Sequence, residues 1–113
     1  MASEYELTSK VKNAFCKKMG EMVAELRKSI SLSQTECGKL TGVSRQTISE
    51  IERDEYKMSW NQFCSFLVVF SLNKKSNEIL HNAGLDMKCV SQFISQTNNS
   101  SINKENLNIE FSK

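Results

Sequence analysis

Arg45, Gln46, Ser49, Glu50 and Arg53 fall on the side of a helical repeat opposite Ile48 and Ile51. On an exposed helix an arginine fork can grip O6 and N7 of guanine, and a glutamine amide can grip N6 and N7 of adenine. A carboxylate can accept from N4 of cytosine, and each good pairing discriminates by about 1–3 kcal/mol. Arg45, Gln46 and Glu50 are accordingly the candidate base readers, with Ser49 and Arg53 beside them. Glu50 requires a cytosine amine, because phosphates otherwise repel it. Gln34 opens the preceding segment, where free amides and a positive helix end attract phosphate; its amide can contact that phosphate and brace Gln46. Ser44, Thr47 and Lys39 are candidate contacts to a phosphate backbone. Most polar helix faces are merely solvated, and only the elements around this one can set it apart.

Those elements are announced by one local pattern written three times. It reads apolar residue, Ser, two spacers, polar residue, apolar residue: Leu32-Ser33-x-x-Glu36-Cys37, Val43-Ser44-x-x-Thr47-Ile48 and Met58-Ser59-x-x-Gln62-Phe63. In each, the Ser hydroxyl can accept from an orphan amide of the first helical turn while the flanking apolar pair staples the entry. Ser33, Ser44 and Ser59 are therefore expected N-caps. The first two stand eleven positions apart, which leaves room for a two-turn helix, Gln34–Thr41, and the glycine-bearing turn Gly42-Val43-Ser44. A second helix over 45–53 follows. Two short helices joined at such a corner form a helix-turn-helix, whose second helix enters the major groove.

Residues 22–80, a little over half the chain, resemble the phage repressor and Cro type of helix-turn-helix domain, also called the XRE family. The resemblance is carried by Leu26-Arg27, by Leu32-Ser33-Gln34-x-Glu36, and by Leu40-x-Gly42-Val43-Ser44-x-x-Thr47-Ile48-x-x-Ile51-Glu52. It implies a five-helix bundle, operator binding as a two-fold dimer, and DNA contact from Gln34 and from the stretch 45–50. It also implies a structural ion pair between Arg27 and Glu52. Three departures stand out: Cys37-Gly38 replaces the usual Leu-Ala, Thr41 occupies a usually aliphatic position, and the acidic stretch 54–58 lacks the common glycine and proline.

The chain has no proline and four glycines, so long helices with short turns are expected throughout. Val11, Phe15, Met19, Met22 and Leu26 recur at steps of four, four, three and four, one face of a first helix with a break or bend expected near Gly20. Cys37 and Leu40 are the expected core of the second helix, and Ile48 and Ile51 that of the third. Trp60, Phe63, Leu67 and Phe70 mark a fourth, and 74–81, ended by a cap at Gly84, a fifth. Leu85 and Asp86 open a sixth with Met87, Val90, Phe93 and Ile94 on one face. The expected fold is all-α: a five-helix repressor-like bundle with an extended N-terminal helix and an additional C-terminal helix. It divides into a helical extension (1–18), the helix-turn-helix domain (19–84), a C-terminal helix suited to dimerisation (85–97), and a tail (98–113). In that tail Leu107, Ile109 and Phe111 alternate with polar residues, so it is either a dimerisation strand or a frayed end.

Composition narrows the function classes. At 113 residues one domain can bury roughly 65% of its unfolded surface, enough for a core without staples. Cys16, Cys37, Cys64 and Cys89 form no C-x-x-C pair and His81 is the lone imidazole, so neither a metal site nor another cofactor is expected, and buried thiols in a reducing compartment are. The longest apolar run, 66–70, is far short of the ~18 residues that span a bilayer, and Glu4 and Glu6 stand where a signal peptide needs positive charge. A cytoplasmic protein without membrane attachment is expected. No nucleophile, base and orienter occur together, so an enzyme is not. Net charge is +2, and 31–58 holds four cations against five acids, which implies few phosphate contacts. The leading expectation is a transcriptional repressor that binds a palindromic operator as a homodimer. The alternatives are an antitoxin-type partner that neutralises a protein and autoregulates through the same fold, and a domain serving protein contact alone.

Overall fold

Buried Cys16, Met19, Val23 and Leu26 recur at helical steps and hold α1 (Glu4–Ser29) as one uninterrupted helix in the computed structural model, which describes residues 4–97. The break expected near Gly20 does not occur. Met19 and Val23 are fully buried on either side of it, and the packing that pins those turns outweighs the roughly 1 kcal/mol helix penalty of glycine. A Cβ at position 20 would meet Ile51 Cγ2 at 3.6 Å and Met58 Cε at 3.7 Å, ordinary contact distances. Gly20→Ala should therefore stabilise the protein by about 0.5–1 kcal/mol in urea unfolding, and a loss of stability would mean that α1 needs the glycine.

Five shorter helices follow: α2 (Gln34–Thr41), α3 (Arg45–Glu52), α4 (Trp60–Ser71), α5 (Lys74–Asn82) and α6 (Met87–Thr97). No strand occurs among the described residues. The three expected caps all form. Ser33, Ser44 and Ser59 accept from the amides of Glu36, Thr47 and Gln62, and Glu36 and Gln62 reach back to complete capping boxes. Gly42 at φ 78° ends α2 in the left-handed conformation that favours glycine. Gly84 at φ 74° lies between α5 and α6 in the same conformation.

Phe63, Phe66 and Phe70 from α4 are fully buried, and α1 packs across α3, α4 and α5 around them. Phe15 stacks on Phe63 at 5.8 Å and meets Phe93 edge-on at 5.4 Å, so one aromatic cluster joins α1, α4 and α6. Leu85 and Val90 are both buried, and Asp86 Oδ2 lies 3.1 Å from His81 Nδ1 at the corner between α5 and α6.

Two core assignments change. Leu40 is 61% exposed, whereas Thr41 is buried and joins Cys37 on the inner face of α2. Thr41 can occupy an apolar site because its hydroxyl is satisfied: Oγ1 donates to the Cys37 carbonyl at 2.8 Å and accepts the Val43 amide at 3.2 Å. Of the four thiols, Cys16 and Cys37 are buried and Cys64 and Cys89 only half-buried. The alternation of Leu107, Ile109 and Phe111 lies outside the described residues.

Candidate nucleic-acid interface

The corner that carries the site is built from a close approach of backbone to backbone. Gly38 on α2 faces the turn so tightly that a Cβ there would stand 2.6 Å from the Val43 carbonyl oxygen. With Val43 and Ile48 buried beneath it, α3 is clamped against α2 and its outer face is turned to solvent.

A second clamp acts at the far end of α3. Arg27 donates from Nε and Nη2 to the two carboxylate oxygens of Glu52, both at 2.9 Å, and from Nη1 to the Leu32 carbonyl at 3.0 Å. Gln34 Nε2 donates to Glu52 Oε1 at 3.1 Å. The Glu52 carboxylate thus ties α1 and the first residue of α2 to the last residue of α3, and the guanidinium facing it holds the α1–α2 link as well. Burial pushes the Glu52 carboxyl up, but the hydrogen bonds from Arg27 and Gln34 and the guanidinium charge outweigh it and hold it below the ordinary value. Burial likewise pushes the Cys37 thiol up to about 11, so it stays protonated in the core beneath this network.

Between the clamps, Ile48 and Ile51 are 0% and 3% exposed, and Arg45 and Gln46 stand outward at the start of α3. Arg45 and Gln46 are exposed, and among the described residues neither side chain has a hydrogen-bond or ion-pair partner. Ser49 and Glu50 are half-buried on the next turn. Ser44 and Thr47 are joined to each other: Ser44 Oγ donates to Thr47 Oγ1 at 2.9 Å while accepting the Thr47 amide. Lys39 is exposed on α2. Arg53 is partly neutralised, since its guanidinium binds Glu55 at 3.0 Å and also donates to Ser49 Oγ.

A helix-turn-helix family model matches residues 23–59, the span from the second half of α1 to the cap of α4. These residues are an XRE-type helix-turn-helix. No curated protein and no solved structure matches the chain significantly. Within this helix-turn-helix the expected site residues divide into two groups. Arg45 and Gln46 are free to meet a ligand, with Ser49 and Glu50 on the following turn, whereas Gln34 and Arg53 are already engaged with carboxylates of the same chain. The engagement of Gln34 was not legible in the sequence, because Glu52 lies eighteen positions away and meets it only across the folded corner. Among the described residues no helix is long and apolar enough to cross a membrane, and no group of three or more His, Cys, Asp or Glu side chains could hold a metal ion.

Proposed function

We propose that the chain is a sequence-specific transcriptional regulator, a cytoplasmic repressor that occupies a palindromic operator as a homodimer with half-sites about one helical turn, ~34 Å, apart. The observation that carries this reading is the free, outward pair Arg45 and Gln46 at the start of a helix whose back is buried. The XRE-type match over the same residues supports it. In the major groove Arg45 grips a guanine and Gln46 an adenine, and Glu50 accepts from a cytosine amine on the next turn. Gln34 and Lys39 on α2, with Ser44, Thr47, Ser49 and Arg53, meet the backbone or flanking edges. Gln34 and Arg53 do so as additions to their present carboxylate partners. Occupying a promoter would exclude polymerase, which makes repression the simplest output of operator binding.

Operator sequence comes from selection on random duplexes, which tests specificity and symmetry together; a non-palindromic consensus would remove the two-fold reading. On the selected site, Arg45→Ala should weaken binding by about 1–2 kcal/mol, roughly 5- to 30-fold, and relax one base position while leaving thermal stability unchanged. An unchanged affinity in the titration would take Arg45 out of the site, and failure of the wild-type chain to select any sequence would sink the function.

A further inference from the structure

Positions 58–73 carry no charged residue, although a quarter of the chain is charged. Buried Phe63, Phe66, Leu67 and Phe70 account for the inner face of α4, but its outer face is neutral as well. There Asn61 is exposed, Ser65 half-buried, Val68 50% exposed and Leu72, the C-cap residue, 82% exposed. These four recur at steps of four, three and four, the spacing of a seam between two packed helices. Surface helices usually carry charge on the side facing water, and depletion of charge is the compositional mark of an interface core.

We propose that the ridge of Asn61, Ser65, Val68 and Leu72 is where two copies of this chain pair, α4 against α4, antiparallel about a two-fold axis near Val68. A second copy fits because the ridge is self-complementary. Leucine stands at one end and serine and asparagine at the other, so antiparallel crossing at Val68 lays each Leu72 over the small side chains around Ser65 of the other copy. The hydroxyls that would be covered are already satisfied within the helix: Ser65 Oγ donates to the Asn61 carbonyl at 3.1 Å and Ser71 Oγ to the Leu67 carbonyl. Burying them leaves no orphan donor. The nearest charges in sequence are Lys57 and Lys74, beyond the two ends of the ridge. In this crossing Lys74 of one copy lies beside the neutral Asn61 and Gln62 of the other, so like charges do not meet. The choice of a second copy also rests on the two-fold operator proposed above.

Sedimentation of the full chain without DNA tests the surface separately from the DNA reading. The wild type should be a dimer. Val68→Glu and Leu72→Glu should each raise the dissociation constant at least about 100-fold, the first because it sets two carboxylates against each other at the axis and the second because it buries a carboxylate without a partner over the Ser65 end of the other copy. Far-UV circular dichroism should remain native, because both positions face solvent in the single chain. Val68→Cys should cross-link into a covalent dimer under mild oxidation with an efficiency the wild type does not reach. A wild type that stays monomeric at every concentration, or a dimer that both glutamate variants leave intact, overturns the proposal. Dimers lost in both variants, from a wild type that binds no duplex, would uphold the ridge and remove the operator instead.

Discussion

Glu52→Ala should destabilise the protein by about 3 kcal/mol, the low end for breaking one partner out of a buried ion pair. The Arg27 and Glu52 side chains are each 11% exposed, so the loss strands a guanidinium that cannot reach bulk water without leaving its place on α1. Three donated hydrogen bonds go with it, two from Arg27 and one from Gln34. Urea unfolding measures the effect, and a loss below about 1 kcal/mol would mean that the pair behaves as an exposed surface bridge. The same carboxylate makes stability depend on pH. Its folded-state pKa is held below the ordinary 4.5, so the unfolded chain takes up the proton first. The contribution is complete above about pH 5 and disappears as pH falls through the folded-state value. Glu52→Gln should flatten that acid limb, and an unchanged limb would assign it to other carboxylates.

Gly38→Ala should destabilise by about 2–3 kcal/mol, although alanine is the better helix former by roughly 1 kcal/mol. A Cβ 2.6 Å from the Val43 carbonyl oxygen cannot be accommodated by a flexible side chain, because the obstacle is backbone. The turn must open, and opening it shifts α3 against α2. The variant should therefore also lose operator affinity, whereas Gly20→Ala, with ordinary contact distances, should gain stability and leave binding intact. A stabilised Gly38→Ala chain in calorimetry would mean that the corner yields more easily than its geometry implies. Position 38 also qualifies the resemblance: alanine is usual there, and this chain has closed the corner further than an alanine permits.

In the proposed dimeric regulator, operator affinity and dimerisation meet in one geometric requirement. Two α3 helices reach successive major grooves only if the pairing surface sets their separation, so α4 substitutions that abolish pairing should reduce affinity for the full palindrome far more than for a half-site.

The local instructions were legible in the residues themselves. Ser33, Ser44 and Ser59 cap helices because a hydroxyl and an amide three positions on are brought together by a single turn of backbone, whatever surrounds them. The same holds for Gly42, whose left-handed turn is a property of one residue, and for Ile48 and Ile51, whose spacing alone puts them on one face. These residues by themselves specify the corner, its second helix and the outward position of Arg45 and Gln46.

What the tertiary structure decided are the matters that depend on a neighbour distant in sequence. Periodicity placed Leu40 in the core, but the burial of Thr41 beside Cys37 turned Leu40 to solvent, and a threonine whose hydroxyl bonds back to its own helix is as good an inner residue. Propensity put a break or bend at Gly20, and the burial of Met19 and Val23 on either side of it keeps the helix continuous there. Gln34 looked free to seek a phosphate until Glu52 came within 3.1 Å. Caps and turns are settled by a few adjacent residues, whereas clearance, exposure and side-chain partnership are settled by whichever surfaces the chain brings together, and no local pattern encodes that meeting.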